Sequence, residues 1–252
     1  MNKLLRWFGS IDIFDRQKNA SMMVAAQEKL SGMGSTNRWL YDTLAPYLGK
    51  RVLEIGCGLG GFLRVMAASG RYEALAGTEI IDEYFPTLES LPGITVHRHD
   101  LVNDPLDALR AGGYDTVVCC NVLEHLADDH AAARKLAAIV PGGGTVVILV
   151  PAFPRLFCNL DRNAGHYRRY SRAKLQELAA ATGAATTALF YFNFPGLFGW
   201  IVNGVILRKN YLSNHLLDIF DRIVPVIRLS ERLTRHIAGA SLILVLRTAS
   251  EK

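Results

Sequence analysis

The sequence has few cysteines, and none of them forms a CxxC pair. The four thiols belong to Cys57, Cys119, Cys120 and Cys158. Disulfide frameworks and zinc sites usually show paired or regularly spaced cysteines. Cys119 and Cys120 are adjacent in a predicted strand and would point to opposite faces, so their sulfurs cannot converge on one soft metal ion. We therefore expect packed thiols, no metal site and a reduced, cytosolic compartment.

Long runs of like charge and an uninterrupted apolar leader are also missing. The 28 basic and 23 acidic residues are interleaved, and the formal net charge is +5. This balance argues against a nucleic-acid partner. Charged residues between Asp12 and Lys18 interrupt the N-terminal apolar stretch, so we expect no secretory signal.

Residues 178–207 contain no Asp, Glu, Lys, Arg or His, a length that raises the question of a membrane span. Glycines, a proline and threonines interrupt the segment, and its first part is typical of a helix end followed by a buried strand. We therefore expect no transmembrane helix. A peripheral contact with the inner face of the membrane stays open as an expectation.

From residue 51 onward, short apolar runs alternate with helix-like segments. This alternation is typical of βαβ units in a parallel sheet. The expected strands cover residues 51–56, 73–79, 94–99, 115–120, 144–150, 186–192 and 240–247. The expected helices cover residues 61–69, 128–139 and 171–182. Ser171 is the expected N-cap of the last helix, and Gly183 its end.

Three regions follow from this pattern. We assign residues 1–49 to an N-terminal helical cap, residues 50–192 with 240–252 to a ligand-binding core, and residues 193–239 to a helical lid insertion. In a doubly wound sheet, ligands bind beyond the carboxyl ends of the strands, so segments that follow the fifth and sixth strands begin on the ligand side. Within the lid, apolar residues recur at helical spacing around Pro225, which predicts an amphipathic helix interrupted or kinked there.

The strongest local signal is the glycine-rich segment VLEIGCGLGG at residues 52–61. Glycine lets the backbone pass close to a nucleotide-like ligand because no Cβ intervenes. Gly56, Gly58 and Gly61 also satisfy the GxGxxG spacing, so a nicotinamide or flavin enzyme is a competing interpretation. Glu54 favours S-adenosylmethionine, because a carboxylate beside the turn repels a pyrophosphate but attracts ammonium and sulfonium groups.

Acidic residues lie at the ends of the next two strands. Glu79 lies 19 residues after Gly60, where an acid can accept hydrogen bonds from both ribose hydroxyls. Asp100 follows the third strand, at the edge where an adenine amino group would lie. These positions predict an adenosine site without choosing between NAD and S-adenosylmethionine.

The fourth strand is followed by CNVLEHL at residues 120–126. Together with the glycine and acidic positions above, this segment resembles the class I S-adenosylmethionine-dependent methyltransferases, and within them the ubiquinone-biosynthesis-like and general bacterial small-molecule branches. The PGGG turn at residues 141–144 resembles the turn before the family's fifth strand. The resemblance covers about residues 37–192. It implies an α/β, Rossmann-like, mostly parallel seven-stranded sheet with an antiparallel last strand and helical cap insertions.

The resemblance also implies roles in binding S-adenosylmethionine. The turn glycines would flank its methionine part and Glu79 its ribose. Asp100 and Leu101 would flank the adenine, and Asn121 would form the floor near the sulfonium. The full set of expected cofactor-binding residues is Glu54, Gly56, Cys57, Gly58, Gly60, Glu79, Ile80, Asp100, Leu101 and Asn121.

Residues 161–171, DRNAGHYRRYS, resemble a bacterial subgroup often found beside or fused to glycosyltransferases. His166 and His125 are the candidate catalytic bases, although His125 could instead close the cofactor pocket or cap the next helix. The arginines of this region either hold an anionic group of the acceptor or pair with acids such as Asp161 and Glu177 to fasten the loop. These arginines are Arg162, Arg168, Arg169 and Arg172.

We expect methyl transfer to a small hydrophobic or aromatic acceptor, at oxygen, by in-line displacement. Such a reaction needs mainly alignment and exclusion of water, and a general base only when the acceptor arrives protonated. The acceptor pocket is expected among aromatic residues of the N-terminal helices and the two insertions. These are Trp7, Phe8, Trp39, Tyr41, Phe153, Phe157, Phe192, Phe194, Phe198 and Trp200.

Alternatives to this function remain. A lipid-linked glycan, or another membrane-associated molecule, is the alternative acceptor. A nicotinamide oxidoreductase and a noncatalytic cofactor-binding module are the alternatives from other functional classes. The sequence leaves the oligomeric state open.

Overall fold

The computed structural model describes residues 28–234 and 236–250. All seven predicted strands are present, and each predicted boundary lies within one residue of the observed one. The strands are β1 (Arg51–Ile55), β2 (Ala74–Glu79), β3 (Ile94–Arg98), β4 (Thr116–Cys120), β5 (Thr145–Pro151), β6 (Ala185–Phe192) and β7 (Ser241–Arg247).

The helices alternate with the strands and then cluster before β7. They are α1 (Gly34–Leu44), α2 (Gly61–Ala68), α3 (Phe85–Glu89), α4 (Asp107–Ala111), α5 (Asp129–Ile139), α6 (Asn159–Asn163), α7 (Arg172–Thr182), α8 (Phe194–Trp200), α9 (Asn214–Ile227) and α10 (Glu231–Thr234). The predicted caps of α7 are confirmed, since the Ser171 side chain accepts from the Lys174 N–H and Gly183 adopts the left-handed conformation.

The strands form one sheet in the order β3-β2-β1-β4-β5-β7-β6. Strands β1 to β5 pair in parallel, whereas β7 is antiparallel to both β5 and β6. The chain therefore moves outward from β1 to β3 and then returns to place β4 beside β1. This reversal opens a crevice at the carboxyl ends of β1 and β4, where doubly wound sheets bind ligands. The predicted fold class is confirmed.

The sheet is covered on both faces, so its central strands are apolar throughout. All residues of β5 are buried. Val146 and Ile148 face the cluster that α5 and α7 complete, and Val147 faces the cluster beneath α1 and α2. This alternation follows from the two-residue repeat of a strand, and burial on both sides explains the continuous apolar run.

Aromatic residues of α1 belong to the core. Trp39 and Tyr41 are buried, and the Trp39 ring packs on Phe192 with centroids 4.7 Å apart. This burial leaves all three in the core between α1 and the sheet, and the expectation that they line an acceptor pocket does not hold. Trp7 and Phe8, the other N-terminal aromatics of that expectation, lie outside the described residues.

A helical insertion connects β6 to β7. It contains α8, a π-helical turn (Ile201–Ile206), α9, a 3-10 turn (Arg228–Ser230) and α10. Helix α9 includes Pro225 and ends two residues beyond it, where the backbone tightens into the 3-10 turn. In the described part of the chain, no helix combines the length and apolar character that a bilayer crossing requires. The division into cap, core and lid stays a prediction.

Asp221 of α9 caps α1 from a distant part of the chain. Its Oδ1 accepts from the N–H and the hydroxyl of Thr36 at 2.7 and 2.8 Å, and its Oδ2 accepts from the Ser35 N–H at 3.3 Å. Met33, the N-cap residue of α1, provides no side-chain hydrogen bond. The first-turn N–H groups of a helix need such acceptors, so one carboxylate both caps α1 and anchors the insertion.

Replacing this carboxylate should lower the stability of the whole protein. We expect Asp221→Ala to reduce the free energy of unfolding by about 1–2 kcal/mol, the usual loss for a helix cap. The measurement is urea unfolding followed by circular dichroism. The control is Arg222→Ala, the next residue on the exposed side of α9, for which a change within about 0.5 kcal/mol is expected. Equal losses in both variants would contradict the capping role.

Candidate functional site

The turn after β1 has the backbone geometry that only glycine adopts easily. Gly56, Gly58 and Gly60 have φ values of 69°, 55° and 74°, in the left-handed region that disfavours a Cβ. A Cβ at Gly56 would lie 2.6 Å from Cγ2 of Val122, in the loop after β4. The turn is therefore pressed against the neighbouring strand end, at the crevice where the strand order reverses.

The carboxylate of Glu79, at the end of β2, holds this turn in place. Its Oε2 accepts from the Gly58 N–H at 2.9 Å, and its Oε1 accepts from the N–H groups of Ile80 and Ile81 at 2.7 and 3.0 Å. Burial raises the pKa of Glu79, and the three N–H groups oppose that shift. A carboxylate has about four acceptor positions, so capacity remains for a ribose hydroxyl.

Glu54 lies in β1 just before the turn and is buried. Among the described residues, no hydrogen-bond partner meets its Oε2. Burial, reinforced by the nearby charge of Glu79, raises the pKa of Glu54 well above its usual range. A buried carboxylate oxygen without a partner is costly, and a cationic ligand group would relieve the cost. The residue fits the ammonium group that S-adenosylmethionine carries.

The side chains of two further predicted cofactor residues are already engaged within the protein. Asp100 accepts from the Val102 N–H and from the Asn103 side-chain amide, both at 2.8 Å, and so stabilises its own turn. The Cys57 sulfur packs against β2, 2.7 Å from where a Cβ on Gly77 would lie. Burial raises the pKa of this thiol. Cys57 can therefore face a ligand only through its backbone.

The remaining predicted cofactor positions lie around the same crevice edge. Leu101 is buried beside Asp100, and Ile80 directly follows Glu79. Asn121 is exposed at the end of β4 and has a φ of 54°, a conformation that non-glycine residues adopt at a cost. Its N–H donates to the Leu149 carbonyl at 2.8 Å. The structure thus brings the strand-end residues to one edge, and their roles in binding stay predictions.

Glu124, His125 and His166 meet beside this edge. Glu124 and His125 lie in the 3-10 turn Leu123–His125, and the two imidazole rings meet edge to face with centroids 4.6 Å apart. The atoms of these three side chains that could ligate a metal ion all lie within 4.8 Å of one another. Burial raises the pKa of Glu124 to about 8, and burial together with His166 lowers the pKa of His125 to about 3. Near neutral pH, both Glu124 and His125 are therefore uncharged.

Asp161 is the buried centre of the loop that carries His166. Its Oδ1 lies 2.9 Å from His166 Nδ1 and 3.2 Å from Arg169 Nε, and its Oδ2 accepts from the Cys158 N–H at 2.9 Å. The carboxylate is fully buried. The Tyr167 N–H donates to the Glu124 carbonyl at 2.7 Å. These contacts hold the loop after β5 against the loop after β4.

The arginines of this loop mostly fasten it. Arg168 forms an ion pair with Asp129 at 2.9 Å, and Arg162 donates to the Asn159 side chain at 2.9 Å. The guanidinium of Arg172 lies 5.7 Å from the centroid of the Tyr191 ring. Of the two predicted roles, these contacts favour loop fastening over binding of an anionic acceptor. Glu177, one of the acids expected to pair with an arginine, instead faces a lysine of its own helix.

Sequence reasoning assigned no role to Glu124 and did not anticipate the pairing of Asp161 with His166. An acid four residues after the end of a buried strand, directly after two apolar residues, is a signal that could have drawn attention to Glu124. No comparable signal exists for the pair, because the five-residue separation of Asp161 and His166 is not a helical or strand repeat.

Comparison with known proteins identifies the family. A family model described as a methyltransferase domain matches residues 33–189, which include the glycine turn, Glu79 and the segment after β4. The chain belongs to the class I S-adenosylmethionine-dependent methyltransferases. Its cofactor is S-adenosylmethionine. The predicted family and cofactor are confirmed, and the nicotinamide alternative is set aside.

Curated relatives match about half of the chain. The chain is 32% identical over 132 residues to the ubiquinone biosynthesis O-methyltransferase of Ralstonia nicotianae, covering 51% of this chain and 50% of the relative. It is 31% identical over 130 residues to the protein of that name from Bordetella avium, covering 50% and 48%. The chain thus spans about half the length of the curated relatives it matches.

Solved structures share the fold. An S-adenosylmethionine-dependent methyltransferase from Mesorhizobium loti superposes with a TM-score of 0.56 at 16% identity, covering 83% of this chain and 97% of that chain. One from Archaeoglobus fulgidus superposes with a TM-score of 0.54 at 16% identity, covering 84% and 92%. At these identities the similarity establishes the fold.

Substitution of Glu79 should weaken cofactor binding. Glu79→Gln replaces one acceptor oxygen by an NH₂ donor. In the variant this donor faces backbone N–H groups that donate to the carboxylate of the unsubstituted protein, so their hydrogen bonds are lost. We expect the affinity for S-adenosylhomocysteine to fall about 10- to 100-fold, the loss expected when buried donors lose their acceptor. Calorimetric titration measures it. Glu89→Gln, at an exposed acid, serves as the control, and equal affinities in the two variants would contradict the role of Glu79.

Glu124 should make stability depend on pH. The unfolded chain releases this proton above about pH 4.3, whereas the folded protein holds it up to the raised pKa of about 8. The unfolded state therefore binds fewer protons in this window, and stability falls as pH rises through it. Glu124→Gln removes this dependence.

We expect the melting temperature of Glu124→Gln to exceed that of the unsubstituted protein at about pH 9, by on the order of 5 °C. The difference should narrow as the pH approaches about 5, where the carboxyl is protonated in both states. Differential scanning calorimetry at both pH values provides the measurement, with Glu89→Gln as the control. A difference in melting temperature of the same size at both pH values would refute the inference that Glu124 is a buried, neutral acid.

Proposed function

We propose that this chain transfers a methyl group from S-adenosylmethionine to a hydroxyl oxygen of a small apolar or aromatic acceptor. The observation that carries the proposal is the Asp161–His166 pair, which stands between the loops that follow β4 and β5 at the carboxyl edge of the sheet. A carboxylate that engages Nδ1 fixes the ring and its tautomer and leaves the Nε2 lone pair as the basic site.

A base at this position suits oxygen as the methylated atom. An alcohol or phenol arrives protonated at neutral pH, and its oxygen becomes a better nucleophile when a base removes the proton during the transfer. The curated relatives are ubiquinone biosynthesis O-methyltransferases, and their activity at oxygen supports the same atom. Because this chain matches only about half of their length, the acceptor is inferred from its own residues.

His166 is better suited to this role than His125. With a pKa of about 3, His125 holds a proton too weakly to act as an efficient base near neutral pH. His125 instead packs its ring against His166. Asp161 then acts as a positioning residue, because its carboxylate orients His166 and stabilises the imidazolium that forms when the ring takes a proton.

The bound cofactor supplies a methyl group on a sulfonium, which is already activated toward a nucleophile. The chain's own residues have four tasks around it. Glu54 balances the cationic part, and the glycine turn with Glu79 fixes the position of the nucleoside. His166 accepts the acceptor's proton, and the loop fastened by Asp161 keeps water away from the reacting oxygen.

Aromatic rings after β5, in β6 and at the end of α8 favour an apolar acceptor. Phe153, two residues after β5, stacks on Tyr191 with centroids 5.2 Å apart and an interplanar angle of 8°. The φ of Phe153 is 61°, so its position is held at a backbone cost. The Trp200 ring lies 4.3 Å from the Arg169 guanidinium, next to Asp161. These rings supply flat apolar surface at the acceptor side of the crevice.

The test is formation of S-adenosylhomocysteine from S-adenosylmethionine with a panel of phenols, aliphatic alcohols and amines. We expect turnover with phenolic acceptors, and a kcat about 10²- to 10⁴-fold lower in His166→Gln, the usual contribution of a general base. The affinity for S-adenosylhomocysteine should be unchanged in that variant. His215→Gln, at an exposed histidine of α9, is the matched control.

Other outcomes separate the alternatives. If His166→Gln turns over phenols as fast as the unsubstituted protein does, the role of His166 as a base is refuted. Turnover of amines alone would refute oxygen as the methylated atom. Binding of S-adenosylhomocysteine without turnover of any acceptor would favour the noncatalytic module.

A further inference from the structure

The insertion between β6 and β7 exposes a stripe of large apolar side chains. Their spacing of four, three, three and four residues follows one side of a helix from α9 through the 3-10 turn into α10. Val226 is 70% exposed and Leu233 is 80% exposed. We call this set the outer stripe, and its members are Ile219, Ile223, Val226, Leu229 and Leu233.

The outer stripe is distinct from the face of α9 that packs on the protein. Val224 is buried, and Phe220 and Ile227 pack against the core cluster beneath α1. An amphipathic helix on a protein surface needs one apolar face. Helix α9 therefore has a second apolar face that the described residues leave in contact with solvent, and such surfaces mark interaction sites.

A second exposed apolar group lies in the same insertion. It comprises the end of α8 and the π-helical turn with the residue after it. Ile206 is 65% exposed. The members are Phe198, Val202, Val205, Ile206 and Leu207.

The acidic residues of the insertion bind the protein body. Residues 193–240 contain three acids, Asp218, Asp221 and Glu231. Asp218 forms an ion pair with Lys29, and Asp221 caps α1. Glu231 accepts from the backbone N–H groups of residues 193 and 194. The negative charge of the insertion is thus used within the protein.

Basic side chains of the insertion remain at the surface beside the apolar groups. Arg208 and Lys209 directly follow the π-helical group, and Arg222 lies between members of the outer stripe; all three are exposed. The solvent side of the insertion therefore combines large apolar side chains with positive charge. That combination is complementary to an anionic, apolar-cored surface.

We propose that the outer stripe and the π-helical group dock onto the surface of a bilayer that contains anionic phospholipids. Apolar side chains enter the boundary between headgroups and acyl chains while basic side chains contact the phosphates. The charge favours this partner over a second copy of the chain, which would bring like charges together. The proposed contact is with the bilayer surface and does not cross the bilayer.

The docking surface is connected to the acceptor side of the crevice. The Trp200 indole N–H, at the end of α8, donates to the Leu156 carbonyl at 3.2 Å, in the loop that holds Asp161. An acceptor dissolved in the bilayer would meet the protein on this side. This last step rests on the proposed function, whereas the docking does not.

The experiment is co-sedimentation of the full chain with vesicles. One set contains phosphatidylcholine alone, and the other contains phosphatidylcholine with phosphatidylglycerol. We expect binding to the anionic vesicles at about 0.1 M salt and clear weakening at about 0.5 M, because the Debye length shortens. Val226→Asp should weaken binding about tenfold, and Lys209→Glu at least about fivefold.

Matched controls carry the same charge changes elsewhere. Ala138→Asp lies on the exposed side of α5, and Arg134→Glu lies on the same helix. Both controls should bind vesicles like the unsubstituted protein, and titration with S-adenosylhomocysteine verifies that every variant is folded.

Several results would overturn the docking. One is that the full chain does not sediment with anionic vesicles. Another is that it binds neutral vesicles in high salt as strongly as it binds anionic vesicles. A third is that the control variants lose as much binding as Val226→Asp and Lys209→Glu. A dimer in analytical ultracentrifugation that Val226→Asp dissociates would assign the outer stripe to self-association instead. Because vesicle binding is read without turnover, its failure is separate from failure of the proposed methyl transfer.

Discussion

The carboxylate of Glu79 is the contact on which the cofactor side depends. It accepts a hydrogen bond from one N–H of the glycine turn and from two N–H groups of the chain after β2. The ends of two neighbouring strands are therefore fixed to each other. Without that acceptor, one buried and two partly buried N–H donors would lose their partner, and a buried donor left unpaired costs on the order of 1–3 kcal/mol. Glu79 thus shapes the crevice as well as lining it.

A second buried carboxylate organises the loop after β5, on the side where we propose that the acceptor binds. Asp161 contacts His166, Arg169 and a backbone N–H. These contacts hold the loop after β5, which belongs neither to the sheet nor to a long helix. Buried ion pairs contribute little net stability, because desolvation offsets their attraction. Their value here lies in geometry, since a half-buried imidazole can act on a substrate only if its ring is held still.

The sheet could be predicted almost to the residue, because strands covered on both faces leave continuous apolar runs between helical segments. The strand-end positions could be predicted from the same order, since parallel strands present their carboxyl ends at one edge. The Asp161–His166 pair could not, because loop conformation decides it. Nor could the cap that Asp221 gives α1, 185 residues away from Thr36. The predicted place of Trp39 in an acceptor pocket was wrong, because the sequence does not distinguish an aromatic residue of the core from one that lines a pocket.

The position of β7 has a consequence for how the chain folds. β7 lies between β5 and β6, and among the described strands β6 pairs with β7 alone. During synthesis β6 and the whole helical insertion therefore leave the ribosome before the strand that joins them to the sheet. Closing this long loop is slow compared with forming the local βαβ units. The first five strands can assemble early, while the helical insertion is the last to be secured.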